Sequence, residues 1–197
     1  MSASPILNIP NALTLLRIVL IPVLVGLAYI PFASGQVAPW LPFEWRYFIA
    51  ALVFLFAAIT DWFDGYLART LNQSSAFGRF LDPVADKLMV ASALIILVQW
   101  HSSNLLVVIS AIVIVCREIT ISALREWMAE LGKRASVAVS YIGKLKTALQ
   151  MTSINVLLLH HPVLDQLGLL LLIVAAGLTL WSMLVYLRAA WPYLSQP

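Results

Sequence analysis

Charge is what this sequence has least of: Asp, Glu, Lys and Arg supply only 11% of its 197 residues, where soluble domains carry about 25%. Apolar residues make up 62% and the mean hydropathy is +0.94, so a water-soluble globule is excluded. Disorder is excluded by the same numbers, because disordered chains are poor in apolar residues and rich in charge. Cys116 stands alone, which rules out an intrachain disulfide framework. Low-complexity tracts, repeats with periods of roughly 20 to 50 residues and a duplicated half-chain are all missing, which removes solenoids and transporters built from inverted repeats. No basic residue precedes Arg17 and the first apolar stretch is long for a secretory h-region, so that stretch reads as a mature helix. The formal net charge of +3 finds no solvated basic domain to sit on, and nucleic acid is not an expected partner.

What is present is a series of apolar windows, each near the roughly 20 residues that a spanning helix needs. Six can be drawn: about Asn11 to Ile30, Arg46 to Ala68, Pro83 to Trp100, Leu105 to Trp127, Ile142 to His160 and Leu167 to Leu187. The expected fold is therefore all-α, a polytopic membrane protein of six transmembrane helices embedded in a lipid bilayer, with residues 1–197 forming a single domain. Arg46 belongs with the first loop, whereas the other eleven of the twelve basic residues lie on the side shared by both termini. Both termini are therefore expected in the cytoplasm. Trp40, Trp45, Trp100 and Trp191 fall near span ends, as aromatic belts do.

The acidic residues follow the same division. Asp61, Asp64, Asp82, Asp86, Glu118, Glu126 and Glu130 lie on the cytoplasmic half, and only Glu44 and Asp165 lie opposite. An ionisable group within a span costs roughly 2.5 to 3.5 kcal/mol on insertion scales, so several together need a partner or a wet cavity. At 100° per residue, Asp61, Asp64, Gly65 and Ala68 share one helical stripe, two carboxylates beside two very small residues. Beyond the polar loop Asn72 to Ser75, Gly78, Asp82 and Asp86 recur every four residues and make a second stripe.

Four converging carboxylates cannot all stay ionised in a low-dielectric site without cations. Oxygen ligands, with no nearby cysteine and with His101, His160 and His161 confined to the opposite side, point to Mg²⁺ or Mn²⁺ rather than Zn²⁺ or Cu²⁺. Two ions roughly 3.5 to 4 Å apart would suit transfer at phosphorus. The plainer alternative is helix capping, since Asp82 before Pro83 resembles an N-cap followed by proline at the first helical position. Capping leaves the other three aspartates and the small residues unexplained.

The spacing D-x2-D-G-x2-A-R-x8-G-x3-D-x3-D is filled by Asp61, Asp64, Gly65, Ala68, Arg69, Gly78, Asp82 and Asp86. It resembles the signature of the CDP-alcohol phosphatidyltransferase family without a departure. NIPNALTLLRIVLIPV near the start, REITISALREWMAELGKR at 117–134 and GKLKT at 143–147 extend the resemblance over most of the chain. The resemblance implies six helices around a cytoplasm-facing polar cavity in a bacterial cytoplasmic (inner) membrane, and transfer of phosphatidyl from CDP-diacylglycerol to an alcohol with release of CMP. It further implies two metals held by Asp61, Asp64, Asp82 and the nearby Asp86, with Asp86 also the general base, and a homodimer formed through lipid-facing helices. Gly65, Ala68, Arg69 and Gly78 would line the CDP-diacylglycerol site, with Asn11, Thr14 and Arg17 completing that end.

The fourth window has only twelve residues, LLVVISAIVIVC, before Arg117, so its helix must continue past a buried arginine. Arg117, Ile121 and Arg125 share a stripe, and Lys144 and Lys146 open the fifth window on the same side. Such a cationic cluster suits an additional anion, such as a phosphate on the acceptor. Glycerol 3-phosphate offers both a hydroxyl and a phosphate. Inositol phosphate fits the charge equally, whereas choline, ethanolamine and serine have no obvious need of the cluster, and serine or phosphatidylglycerol as acceptor is an alternative within the family. Glu118 is expected to pair with a neighbouring cation, and Lys133 and Arg134 to act as interfacial anchors. An ion or proton transporter is the competing class, but its sites prefer the bilayer midplane, and these carboxylates sit near one face.

Overall fold

Ser75, not Asp82, starts the third helix. Its extended backbone (φ −103°, ψ 156°) and its side chain, which accepts from the Gly78 amide at 2.9 Å, make it the N-cap. The helix begins at Ala76, and Asp82 and Pro83 lie inside it, so the capping explanation for Asp82 is overturned. Pro83 cannot donate to the carbonyl of Arg79, so one helical hydrogen bond is missing in the turn that carries Asp82.

The structure, a computed structural model, describes residues 8–29, 43–70, 75–130 and 141–194. They form six helices, α1 (Ile9–Tyr29), α2 (Phe43–Thr70), α3 (Ala76–Trp100), α4 (Leu105–Glu130), α5 (Tyr141–Leu158) and α6 (Pro162–Leu194), and no strand occurs among the described residues. Helices start earlier or run longer than the apolar windows because their polar first and last turns carry the functional side chains. α6 passes the expected end at Leu187 and continues to Leu194. By length and hydropathy, Pro10–Tyr29, Leu105–Glu130 and Pro162–Trp191 are sufficient to cross a membrane. α2 and α3 match them in length, but their charged ends lower their hydropathy, and α5 is the shortest of the six at 18 residues. Trp40, Lys133 and Arg134, and the side chain of Trp45, lie outside the described residues.

α1 packs against α2 and α3, while α4 and α5 pack against α6. The two triplets meet along a seam where α3 faces α4 and α5, and α2 faces α5. Leu24, Phe54, Leu94, Leu97, Ile114 and Ile154 fill the centre. Asn155 crosses the seam, its Nδ2 donating to the Ala51 carbonyl at 2.8 Å. The outer surface is apolar too: Val19, Phe56, Ile95, Ile112, Leu170 and Trp181 all point away from the bundle. In water such a surface would drive aggregation, whereas in lipid it carries no penalty. Gly168 lets α5 and α6 approach closely, since a Cβ there would come within 2.7 Å of Leu157.

Candidate functional site

Three side chains spaced along one face of α1 gather the signature residues. Asn11, Thr14 and Arg17 are 2%, 0% and 1% exposed, burial that such groups tolerate only when bonded. Arg17 spans the two carboxylates of α2, reaching Asp61 at 2.6 Å and Asp64 at 2.5 Å. The Thr14 hydroxyl lies 2.5 Å from Asp82 and 3.4 Å from Asp64, tying α3 to the same centre. Asn11 donates to the Ser75 hydroxyl at 2.8 Å. Gly78 lies so close that any side chain there would collide with Asn11. Gly65, Ala68 and Arg69 occupy the last turns of α2, but their side chains lie outside the described ones.

The donor set fits a hard cation: all its oxygens come from aspartates, Asp61 and Asp64 pair with the Arg17 guanidinium, and Asp82 accepts from the Thr14 hydroxyl. These carboxylates converge on α1 rather than on one another, with Arg17 and Thr14 interposed. The tight convergence expected from the sequence is thus mediated by a cationic and a hydroxyl side chain. Asp61 keeps a side chain 42% exposed, while that of Asp64 is 4% exposed. One carboxylate of the pair therefore remains reachable from outside.

On the other side of α3, the seam between the triplets opens into a cavity of about 290 Å³. Asp86 and Lys87 from α3, Arg117, Glu118 and Arg125 from α4, and Lys146 from α5 line it. Glu118 organises the cations, binding Arg117 at 2.9 Å and Lys146 at 2.8 Å through the same oxygen. Arg117 also donates to Ser182 at 3.1 Å, and Arg125 to Tyr186 at 2.8 Å, so α6 braces both arginines. Arg117 is 9% exposed inside an unbroken α4, as the short apolar run before it requires. Lys144 stands apart: it lines an adjoining groove with Ala58 and Asp61, between α2 and α5. Deeper in the bundle, an apolar hollow lined by Phe54, Leu55, Ala58 and Val156 lies between the same helices.

Sequence reasoning missed Gln150 and Thr147, which also line the cavity. The Gln150 side chain is buried, and its Oε1 has no hydrogen-bond partner. A signal was present: Gly143, Lys146, Thr147 and Gln150 follow at helical spacing and make a polar stripe along one side of α5.

Residues 7–183 match the family model of CDP-alcohol phosphatidyltransferases. The chain belongs to that family. A CDP-diacylglycerol--glycerol-3-phosphate 3-phosphatidyltransferase of Pseudomonas fluorescens is 53% identical to this phosphatidyltransferase over 192 residues, covering 95% of this chain and 92% of the relative. A protein of the same name from Salmonella choleraesuis is 54% identical over 184 residues, 93% of this chain and 94% of its own. A third, from Shigella flexneri, is 53% identical over 184 residues, with the same coverage of both chains. CDP-alcohol phosphatidyltransferases transfer phosphatidyl groups and are generally dependent on divalent metals.

Proposed function

We propose that this phosphatidyltransferase moves the phosphatidyl group of CDP-diacylglycerol to the free hydroxyl of sn-glycerol 3-phosphate, giving phosphatidylglycerol phosphate and CMP. One observation carries the reading of the acceptor: Asp86 shares a cavity with Arg117, Arg125 and Lys146, a proton acceptor beside three cations. The names of the relatives agree with it.

In this reading Arg117, Arg125 and Lys146 hold the acceptor phosphate, with Lys144 contributing from the groove. Glu118 keeps Arg117 and Lys146 in place. Gln150 accepts a hydrogen bond from a glycerol hydroxyl through its unpartnered oxygen. The attacking hydroxyl gives its proton to the Asp86 carboxylate as its oxygen bonds to the phosphorus that bears the diacylglycerol. The bond from that phosphorus to the oxygen of CMP breaks. Asn11, Thr14 and Arg17 position the nucleotide end with Gly65, Ala68 and Gly78, whose small size admits the cytidine, and with Arg69, which adds positive charge.

Asp61, Asp64 and Asp82, with Asp86 adjacent, would hold two Mg²⁺ or Mn²⁺ ions, which would offset charge on the diphosphate. The enzyme works as a single domain of residues 1–197 that crosses a bacterial inner membrane six times, with both termini and the active site facing the cytoplasm. It associates as a homodimer through lipid-facing helices.

The deciding experiment follows CMP release from CDP-diacylglycerol by the purified enzyme with Mg²⁺ and a panel of alcohols. Release is expected with glycerol 3-phosphate and not with serine, inositol phosphate or phosphatidylglycerol. Equal release without glycerol 3-phosphate overturns the acceptor assignment.

A further inference from the structure

The end of the bundle remote from the aspartates holds a second group of ligand-bearing side chains that phosphatidyl transfer does not use. His101 ends α3, His160 sits in the turn between α5 and α6, and Asp165 lies in the first turn of α6. One ligand atom from each lies within 4.8 Å of the others, which makes this the one group of three His, Cys, Asp or Glu side chains among the described residues placed to hold a metal ion. His101 Nε2 is 3.5 Å from Asp165 Oδ2, and His160 Nδ1 is 4.0 Å from the same oxygen. Both distances exceed a hydrogen bond. His101 Nε2, His160 Nδ1 and Asp165 Oδ1 are shielded from solvent without a hydrogen-bond partner, an arrangement that costs roughly 1 to 3 kcal/mol per group unless something fills it.

The proton on His101 is already accounted for. Its Nδ1 lies 3.2 Å from the Leu97 carbonyl, which can only accept, so in the neutral ring the proton sits on Nδ1 and Nε2 offers its lone pair to the cluster. A histidine that ligates a metal is held in just this way, its other ring nitrogen donating to a carbonyl or carboxylate. The His160 ring is clamped as well, 4.6 Å from the Tyr47 ring and 5.9 Å from that of Trp100.

We propose that His101, His160 and Asp165 form a binding site for a divalent d-block cation of the zinc class, separate from the hard-cation site at the aspartates. Two imidazole nitrogens and one carboxylate oxygen make a borderline donor set that prefers Zn²⁺ over Mg²⁺, and water completes a tetrahedron. The half-buried His160 and Asp165 side chains leave the ion a path in. His101 belongs to one helix triplet, and His160 and Asp165 to the other, so the ion fastens the seam at the end away from the catalytic cavity.

The test uses the full-length enzyme in detergent, stripped with chelator, exchanged into excess Mg²⁺ to saturate oxygen sites, and offered ZnCl₂. After gel filtration, elemental analysis is expected to find about one Zn²⁺ per chain. Co²⁺ in its place should give the visible absorption of a tetrahedral site. His101→Ala and His160→Ala should each weaken binding by about 100-fold or more, since even second-sphere changes cost 10- to 100-fold. His161→Ala should bind normally. Transfer activity measured with Mg²⁺ alone should survive in all three, which shows that they fold. Absence of retained Zn²⁺, or undiminished retention when both His101 and His160 are replaced, overturns the proposal. An Asp165→Asn variant with retained activity and lost Zn²⁺ supports it independently.

Discussion

Asp86 is the one signature aspartate that lines the cationic cavity, whereas Asp61, Asp64 and Asp82 are bonded to α1. That difference in company is what the proposed role of Asp86 as proton acceptor, beside its place near the metals, rests on. Asp86→Asn keeps the shape and removes the basicity, so kcat is expected to fall by about 10²- to 10⁴-fold while nucleotide binding, followed by CMP protection against heat, survives. Undiminished turnover would remove the base assignment. In the proposed reading Gln150 serves recognition instead. Gln150→Leu fills the same space without an acceptor atom, and KM for glycerol 3-phosphate should rise about tenfold with kcat little changed, the cost of one lost hydrogen bond to substrate. An unchanged KM would show that Gln150 does not touch the acceptor. Most of these residues were legible because their chemistry is costly in lipid: a carboxylate or guanidinium within a span must have a reason. Gln150 escaped because an uncharged amide raises no such alarm, and the sharing of Glu118 between Arg117 and Lys146 joins residues 28 apart through packing alone.

At the scale of elements, the helices themselves were legible and their ends were not. Apolar runs mark where a helix contacts lipid or core, but α3 begins in a polar turn capped by Ser75, and Pro83 is accommodated inside it. The clamp of Arg17 on Asp61 and Asp64 was likewise beyond reach, since it depends on α1 lying between α2 and α3. Close helix contacts give a clean stability test. Gly168→Ala drives a methyl into Leu157 and is expected to cost about 1 to 3 kcal/mol by overpacking, whereas Gly177→Ala meets open space and should be neutral or mildly stabilising. Thermal unfolding in detergent compares them, and equal melting temperatures would contradict the tight α5–α6 contact.

At the scale of the molecule, charge separates two ends of one apolar bundle, and chemistry follows the charge. Stripping divalent cations with EDTA should reduce CMP release to background, and adding Mg²⁺ or Mn²⁺ should restore it. Full activity in EDTA would mean that Arg17 alone answers the carboxylates. The partition of basic residues was visible in the sequence, and so was the division of the acids. A polar cavity was expected only through the family resemblance, and its lining could not be read from the residues, because it forms only where two helix triplets meet.

The groove between α2 and α5 runs beside Asp61 on the outside of the bundle, with an apolar hollow deeper between the same helices. Withdrawing an acyl chain into water costs about 0.8 kcal/mol per methylene, a prohibitive sum for two long tails. A sideways doorway would avoid that expense: the fatty tails would stay in their leaflet throughout turnover, and only the small hydrophilic reactant and leaving nucleotide would trade places with the aqueous phase. Traffic to the site is then two-dimensional, governed by how crowded the leaflet is with liponucleotide rather than by how much is suspended in the tube.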